Sequence, residues 1–262
     1  MKLFRLLSAS LSRFFYYTAK SRRKTPAQTT TDTLLIELNP CGTLQEQIKG
    51  KDILSARSLK IKGALNGDDF LFLRELKNLR HLDLADALIK KGGAAYYAAN
   101  TIENDGEIAP YLFYGLPLTQ LILPRSASTL CSRAFKIPIT HIEIPQSVAL
   151  IEPDCFSECE ELKEIRIADY PDELKLSRGQ TGQYGYWGRN IEYLYIGRDL
   201  KWDTYYTDDA TPFSELSLLK ELDIQGYVAY LADYSFYDCR NLLKITLGPS
   251  LRSLGKGVFE HC

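Results

Sequence analysis

The sequence predicts a β-dominated α/β solenoid: about eight coils of roughly 23 residues, a parallel sheet on the concave face and an N-terminal cap. Two self-matches carry this reading. LKELDIQGYVAYLADYSFYDCRN, starting at Leu219, and LLKITLGPSLRSLGKGVFEHC, starting at Leu242, coincide at a period of twenty-three. Leu219, Leu222, Ile224, Val228, Leu231, Phe236 and Cys239 then fall on Leu242, Ile245, Leu247, Leu251, Leu254, Phe259 and Cys262. A third copy, ITHIEIPQSVALIEPDCFSECEE, puts Ile139, Ile142, Ile144, Val148, Ile151, Phe156 and Cys159 on the same marks. A unit this short cannot bury its own apolar side, so it must stack on neighbours as the coil of a solenoid. Within the unit the L-x-x-L-x-L start alternates as a strand does, and the later phenylalanine packs an irregular returning arc.

The pattern L-x-x-I-x-I-P-x-S-V-x-x-I-x-x-x-A-F-x-x-C resembles the BspA-like class of leucine-rich repeats, common in bacterial surface proteins. LTQLILPRSASTLCSRAF at 118–135 follows it too, and the resemblance extends from about Ala56 to the C-terminus. It implies a leucine-rich-repeat solenoid, secreted or displayed on a bacterial cell surface, that acts as a non-catalytic binding or adhesion module for a protein or glycan partner. The residues that would choose the partner lie at the variable positions, which the repeat itself does not specify.

Taken in order, residues 1–32 form a basic leader. Between Met1 and Thr31 there are seven Lys or Arg and no acid, so with a net charge of −1 overall the remainder carries about eight net negative charges. Leu3, Leu6, Leu7, Leu11, Phe14 and Phe15 make an apolar helical stripe with basic residues around it. A secretory signal fits poorly, because Arg5 and Arg13 interrupt the apolar stretch and no small-residue cleavage site follows. Two readings stay open: a helix lying on a membrane surface through residues 1–24, and a leader that does not pack on the domain.

Residues 33–55 read as the N-terminal cap, with LLIEL at 34–38 as a short strand and a small helix opened by Thr43 with Glu46 three residues on. The solenoid then runs over 56–262. In its first coil, Asp68-Asp69 before FLFLREL predicts a helical return. The second begins at Leu79 and is lengthened by KKGGAAYYAANTIENDGEIAP before Phe113 restores the frame, and later coils start at Leu118, Ile139, Leu162, Ile191, Leu219 and Leu242. The Leu162 and Ile191 coils are longer, and their excess is aromatic and glycine-rich: SRGQTGQYGYWGRN and RDLKWDTYYTDDATPF. The sequence reaches Cys262 on the twenty-first residue of a unit with no cap after it, which keeps open a structural repeat segment of a larger or truncated surface protein.

Chemistry-bearing residues are few. Cys159, Cys239 and Cys262 share one repeat position and Cys155 replaces an alanine before the phenylalanine, so the cysteines read as small buried residues rather than as ligands or disulfides. His81 and His141 stand two coils apart at roughly 4.8 Å per strand step, too far to share a proton or a metal. No nucleophile elbow, zinc motif or phosphate loop occurs, so the reading includes no catalytic residue, metal or cofactor, and no nucleic-acid partner.

Two surfaces remain as candidate ligand sites. One is the outward row of the concave sheet: His81/Asp83, Gln120/Ile122, His141/Glu143, Glu164/Arg166, Tyr193/Tyr195, Glu221/Asp223 and Lys244/Thr246. The other is aromatic, where Tyr193 and Tyr195 meet the long loops carrying Tyr184, Tyr186, Trp187, Trp202, Tyr205 and Tyr206. Flat aromatic faces suit stacking on sugars or anchoring a protein, and equally they can pack on one another to hold two irregular loops.

Overall fold

The computed structural model describes residues 33–48, 53–177, 187, 190–202 and 211–262. The leader therefore lies outside the described residues, as do Tyr184, Tyr186, Tyr205 and Tyr206.

The strand at the start of each repeat forms because its apolar residues alternate with polar ones, burying Ile142 and Ile144 while His141 and Glu143 face outward. These strands pair in parallel in two runs. The first joins Leu34–Leu38, Ser58–Leu65, His81–Asp83 and Gln120–Ile122; the second joins His141–Ile144, Glu164–Ile167, Tyr193–Ile196, Glu221–Ile224 and Lys244–Leu247. Register follows the repeat marks, so that Ile142, Ile165, Leu194, Leu222 and Ile245 stand side by side across the second run. About eight turns result, and the fold is the β-dominated solenoid that the period predicts.

The returning arc is more regular than the sequence suggests. Glu107–Ile108, Thr129–Leu130, Leu150–Ile151, Leu174–Leu176 and Leu200–Trp202 make a second parallel sheet, and Tyr230–Leu231 pairs with Ser253–Leu254 in the same manner. Strands of two or three residues leave no alternation to read in a sequence, yet stacking one above another satisfies their backbone groups.

Between the sheets and the outer turns stands a column of rings, one per coil. Phe113, Phe135, Phe156, Trp187, Phe213, Phe236 and Phe259 stack in succession with centroids 4.8–5.8 Å apart and planes within 18° of parallel. Two residues before the ring, Tyr111, Arg133, Asp154 and Tyr234 take left-handed backbone angles. That conformation turns their N–H groups toward the next coil, where Tyr111 donates to Arg133 and Arg133 to Asp154. The outer turns thus carry a hydrogen-bonded ladder of their own, which offsets the cost of non-glycine residues with positive φ.

At the N-terminal end, the strand Leu34–Leu38 pairs in register with Ser58–Leu65. The helix Leu44–Gln47 is not capped as its sequence suggests. The Thr43 hydroxyl donates to the Pro40 carbonyl at 2.7 Å, and the buried Asp69 carboxylate accepts from the Gly42 and Leu44 amides at 2.7 and 2.9 Å. Asp69 belongs to the helix Gly67–Leu73 and also closes the capping box with Asn66, so one carboxylate ties both helix starts together.

Candidate functional site

The outward row of the main sheet divides into three parts according to what its side chains already hold. In the first strands the row is occupied by internal pairs. Lys60 lies 2.9 Å from Asp83 and 3.1 Å from Asp86, Arg125 reaches Asp86 at 2.5 Å, and the Ser58 hydroxyl meets His81 Nδ1 at 3.0 Å. The two carboxylates raise the Lys60 pKa, whereas burial lowers that of His81.

In the later strands the row is also knitted together. The Tyr193 hydroxyl donates to Asp223 at 2.8 Å, and that of Tyr195 to Asp169 at 2.6 Å. The Arg166 guanidinium lies 3.6 Å from the Tyr195 ring centroid, and Lys244 is 3.4 Å from Glu221. Burial, followed by the Asp169 hydrogen bond, pushes the Tyr195 phenol up to about 12 and raises Tyr193 in the same way with Asp223. Asp169 reaches this position because Gly197 and Gly226 leave room: a Cβ on either would stand 2.2 or 2.6 Å from its carboxylate oxygen.

Between these networks lies a stretch whose side chains hold nothing. Among the described residues, Gln120, Ile122, His141, Glu143 and Glu164 make no side-chain hydrogen bond or ion pair, and Ile122 is 40% exposed. They occupy three consecutive repeats, on the strands Gln120–Ile122, His141–Ile144 and Glu164–Ile167.

The aromatic surface does not assemble as the sequence suggests. Trp187 is 6% exposed and is a rung of the ring column, with Phe156 at 5.8 Å on one side and Phe213 at 5.3 Å on the other, so neither face is open to a ligand. Its predicted place in an exposed site is therefore corrected: the lengthened coil needs a ring at that level, and Trp187 supplies it. Tyr195 is 8% exposed with Arg166 over its ring, Tyr193 is half-buried, and Trp202 packs against the core. Tyr205 and Tyr206 lie outside the described residues.

Two residues that sequence reasoning passed over hold this region. Asp169 is one. The other is Arg198, buried to 1% exposure, whose guanidinium donates to the Gln146 carbonyl at 3.0 Å and to the Val148 carbonyl, fifty residues back. Burial lowers its pKa, and its Nε–H has no acceptor among the described residues. Arg74 works alike from the first coil, donating to the Tyr111, Leu112 and Tyr114 carbonyls. The cysteines sit where the repeat puts them: Cys155, Cys159 and Cys239 are fully buried, and Cys262 is exposed.

Residues 106–177 and 206–262 match, in six copies, the family model described as BspA type leucine-rich repeat region. A leucine-rich repeat protein from Bacteroides ovatus, known from a crystal structure, aligns at 18% identity over 78% of this chain with a TM-score of 0.33. The chain spans 64% of that protein's length. No curated protein matches the chain.

Proposed function

We propose, on the premise that residues 106–177 and 206–262 are leucine-rich repeats of the BspA type, that the chain is a non-catalytic binding module, displayed at or outside the cell surface, that docks a protein partner through the middle of its outward strand face. The observation that carries the proposal is the division of that face. Side chains that already satisfy one another have little to offer a partner, since breaking the Tyr195–Asp169 or Lys60–Asp83 contact would cost what a new contact returns. Gln120, Ile122, His141, Glu143 and Glu164 carry no such cost, and together they combine an exposed apolar side chain with polar groups on rigid strands. A protein partner fits better than a sugar. Stacking on a sugar needs an open ring face, and the Tyr195 ring is covered by Arg166 while both faces of Trp187 are taken.

The test is a binding screen of the chain against a panel of extracellular proteins and glycans, repeated with Ile122→Asp and with Glu143→Lys/Glu164→Lys. Loss of a protein hit in both variants, at unchanged melting temperature, is the expected result. A hit that survives both variants, or hits confined to glycans, would remove the proposal.

A second reading has its own observation. The Leu242–Cys262 coil repeats the apolar marks buried elsewhere, but leaves Ile245 39%, Leu247 48% and Leu254 49% exposed. Such a face favours a structural role in assembly, in which a partner surface or a second copy of the chain packs on this coil. Among the described residues no helix is long and apolar enough to cross a membrane.

A further inference from the structure

The ladder of short return strands is broken at one step. Elsewhere the amide just after each short strand donates to the coil before it: Cys131 to Ile108, Glu152 to Leu130 and Ser177 to Ile151, and Gly255 repeats the contact with Leu231. Between Leu200–Trp202 and Tyr230–Leu231 no strand pairing forms. The Asp199 carboxylate takes the Ala229 and Tyr230 amides instead, at 2.8 and 3.2 Å. Ala232 holds the place of Gly255, and its N–H has no acceptor among the described residues.

A cavity of about 10 Å³ lies at this break, room for one particle the size of a water molecule. Arg198, Leu200 and Trp202 line it from one coil, Tyr230, Ala232 and Ser235 from the next, and no carboxylate faces it. Ser235 adds no donor, because its hydroxyl is spent on the Ala232 carbonyl. Arg198 brings a full charge at 1% exposure and makes no ion pair among the described residues. Two of its donors go to the Gln146 and Val148 carbonyls, and its Nε–H has no acceptor.

We propose that this break is a binding site for one small monovalent anion of the chloride class, held between the Arg198 guanidinium and the Ala232 amide. A buried charge without a counter-ion is costly, and burial alone already lowers the Arg198 pKa, with Asp172 acting on it only through space. An anion in a cavity this small touches most of the lining, so it meets both unclaimed N–H groups and the charge at once. Water would satisfy the two donors and leave the charge uncompensated. Size excludes phosphate, sulfate and organic anions, and Ile196, Leu200, Val228 and Leu231 supply the apolar walls that suit a weakly hydrated ion.

The test compares the melting temperature of the whole chain in sodium chloride, sodium bromide and sodium gluconate at equal ionic strength, so that screening is the same in all three. The expected result is a higher midpoint in both halides, rising with each tenfold increase in their concentration, and no such rise in gluconate. In Arg198→Met the halide advantage should vanish. Crystals of the wild-type chain grown in bromide stand beside this in case the variant fails to fold. One anomalous peak is expected between Arg198 and Ala232. Equal midpoints in chloride and gluconate, or a halide advantage that survives in Arg198→Met, would overturn the proposal. Bromide found only at surface sites would overturn it too, as an adventitious ion only.

Discussion

Trp187 stacks on Phe156 with ring centroids 5.8 Å apart and planes 11° from parallel, so a tryptophan takes the level that phenylalanine holds in six other coils. The column it completes is continuous from Phe113 to Phe259, and each ring is both a filler of its own coil and a platform for the next. Deleting one ring should therefore cost more than its own transfer to water. Phe236, fully buried between Phe213 and Phe259, is expected to lose about 3–5 kcal/mol on change to Ala, and Trp187→Ala a similar amount, while Trp187→Phe loses less. Urea unfolding checks all three. A cost below about 1 kcal/mol for both alanine variants would mean that the column does not bear on stability.

The column was half legible in the sequence. Phe156, Phe236 and Phe259 recur at one mark, and a period of twenty-three exposes them directly. Trp187 escaped because the Leu162 coil is lengthened ahead of it, and counting forward from Leu162 loses the frame. Counting back from the next strand does not settle it either, since Trp187 precedes Ile191 by four residues, as Phe135 precedes Ile139, whereas Phe156, Phe213 and Phe236 precede theirs by six. The strand row was legible as a row, because alternation decides which side chains face outward. Which members of that row are already engaged was not, because Asp169 and Arg198 come from turns and make their contacts across 26 to 52 residues.

Arg198 replaces regular turn hydrogen bonds where the Leu162 coil departs from the repeat. Its two hydrogen bonds go to carbonyls of the Ile139 coil, at Gln146 and Val148, so its loss leaves two acceptors unsatisfied as well as a buried gap. Arg198→Ala is expected to destabilise the chain by about 3–5 kcal/mol, and Arg198→Lys, which can reach only part of that geometry, by less. Chemical denaturation with intrinsic fluorescence would read both. Equal stability of Arg198→Ala and wild type would show that water serves those carbonyls as well.

Tyr195 gives the outward face a pH dependence whose sign follows from its surroundings. Burial and the Asp169 contact raise its phenol to about 12, above the ~10 of an exposed tyrosine, so the fold favours the neutral form. That contribution is complete below pH ~10 and is lost as pH rises through 12. Stability should fall across this interval in the wild type and fall less steeply in Tyr195→Phe. Phenolate absorbance gives a second measure, because one late-titrating tyrosine should disappear in the variant. A variant with an unchanged late titration would transfer the effect to another residue, such as Tyr193, whose phenol is raised in the same direction.

The solenoid should also be graded in local stability along its axis. Ile142 is 1% exposed and its strand is paired with Glu164–Ile167, within a core that continues on both sides. Ile245 holds the equivalent mark in Lys244–Leu247, is 39% exposed, and pairs with Glu221–Ile224 on one edge. Because stacking energy comes from neighbouring coils, opening the Leu242–Cys262 coil releases one interface where opening the Ile139 coil releases two. Amide exchange at Ile245 and Leu247 should accordingly run faster than at Ile142 and Ile144, by a margin that persists when the chain is diluted. Equal protection at the two positions in a dilute sample would contradict this gradient, and equal protection that fades on dilution would mean that another copy of the chain covers the exposed coil.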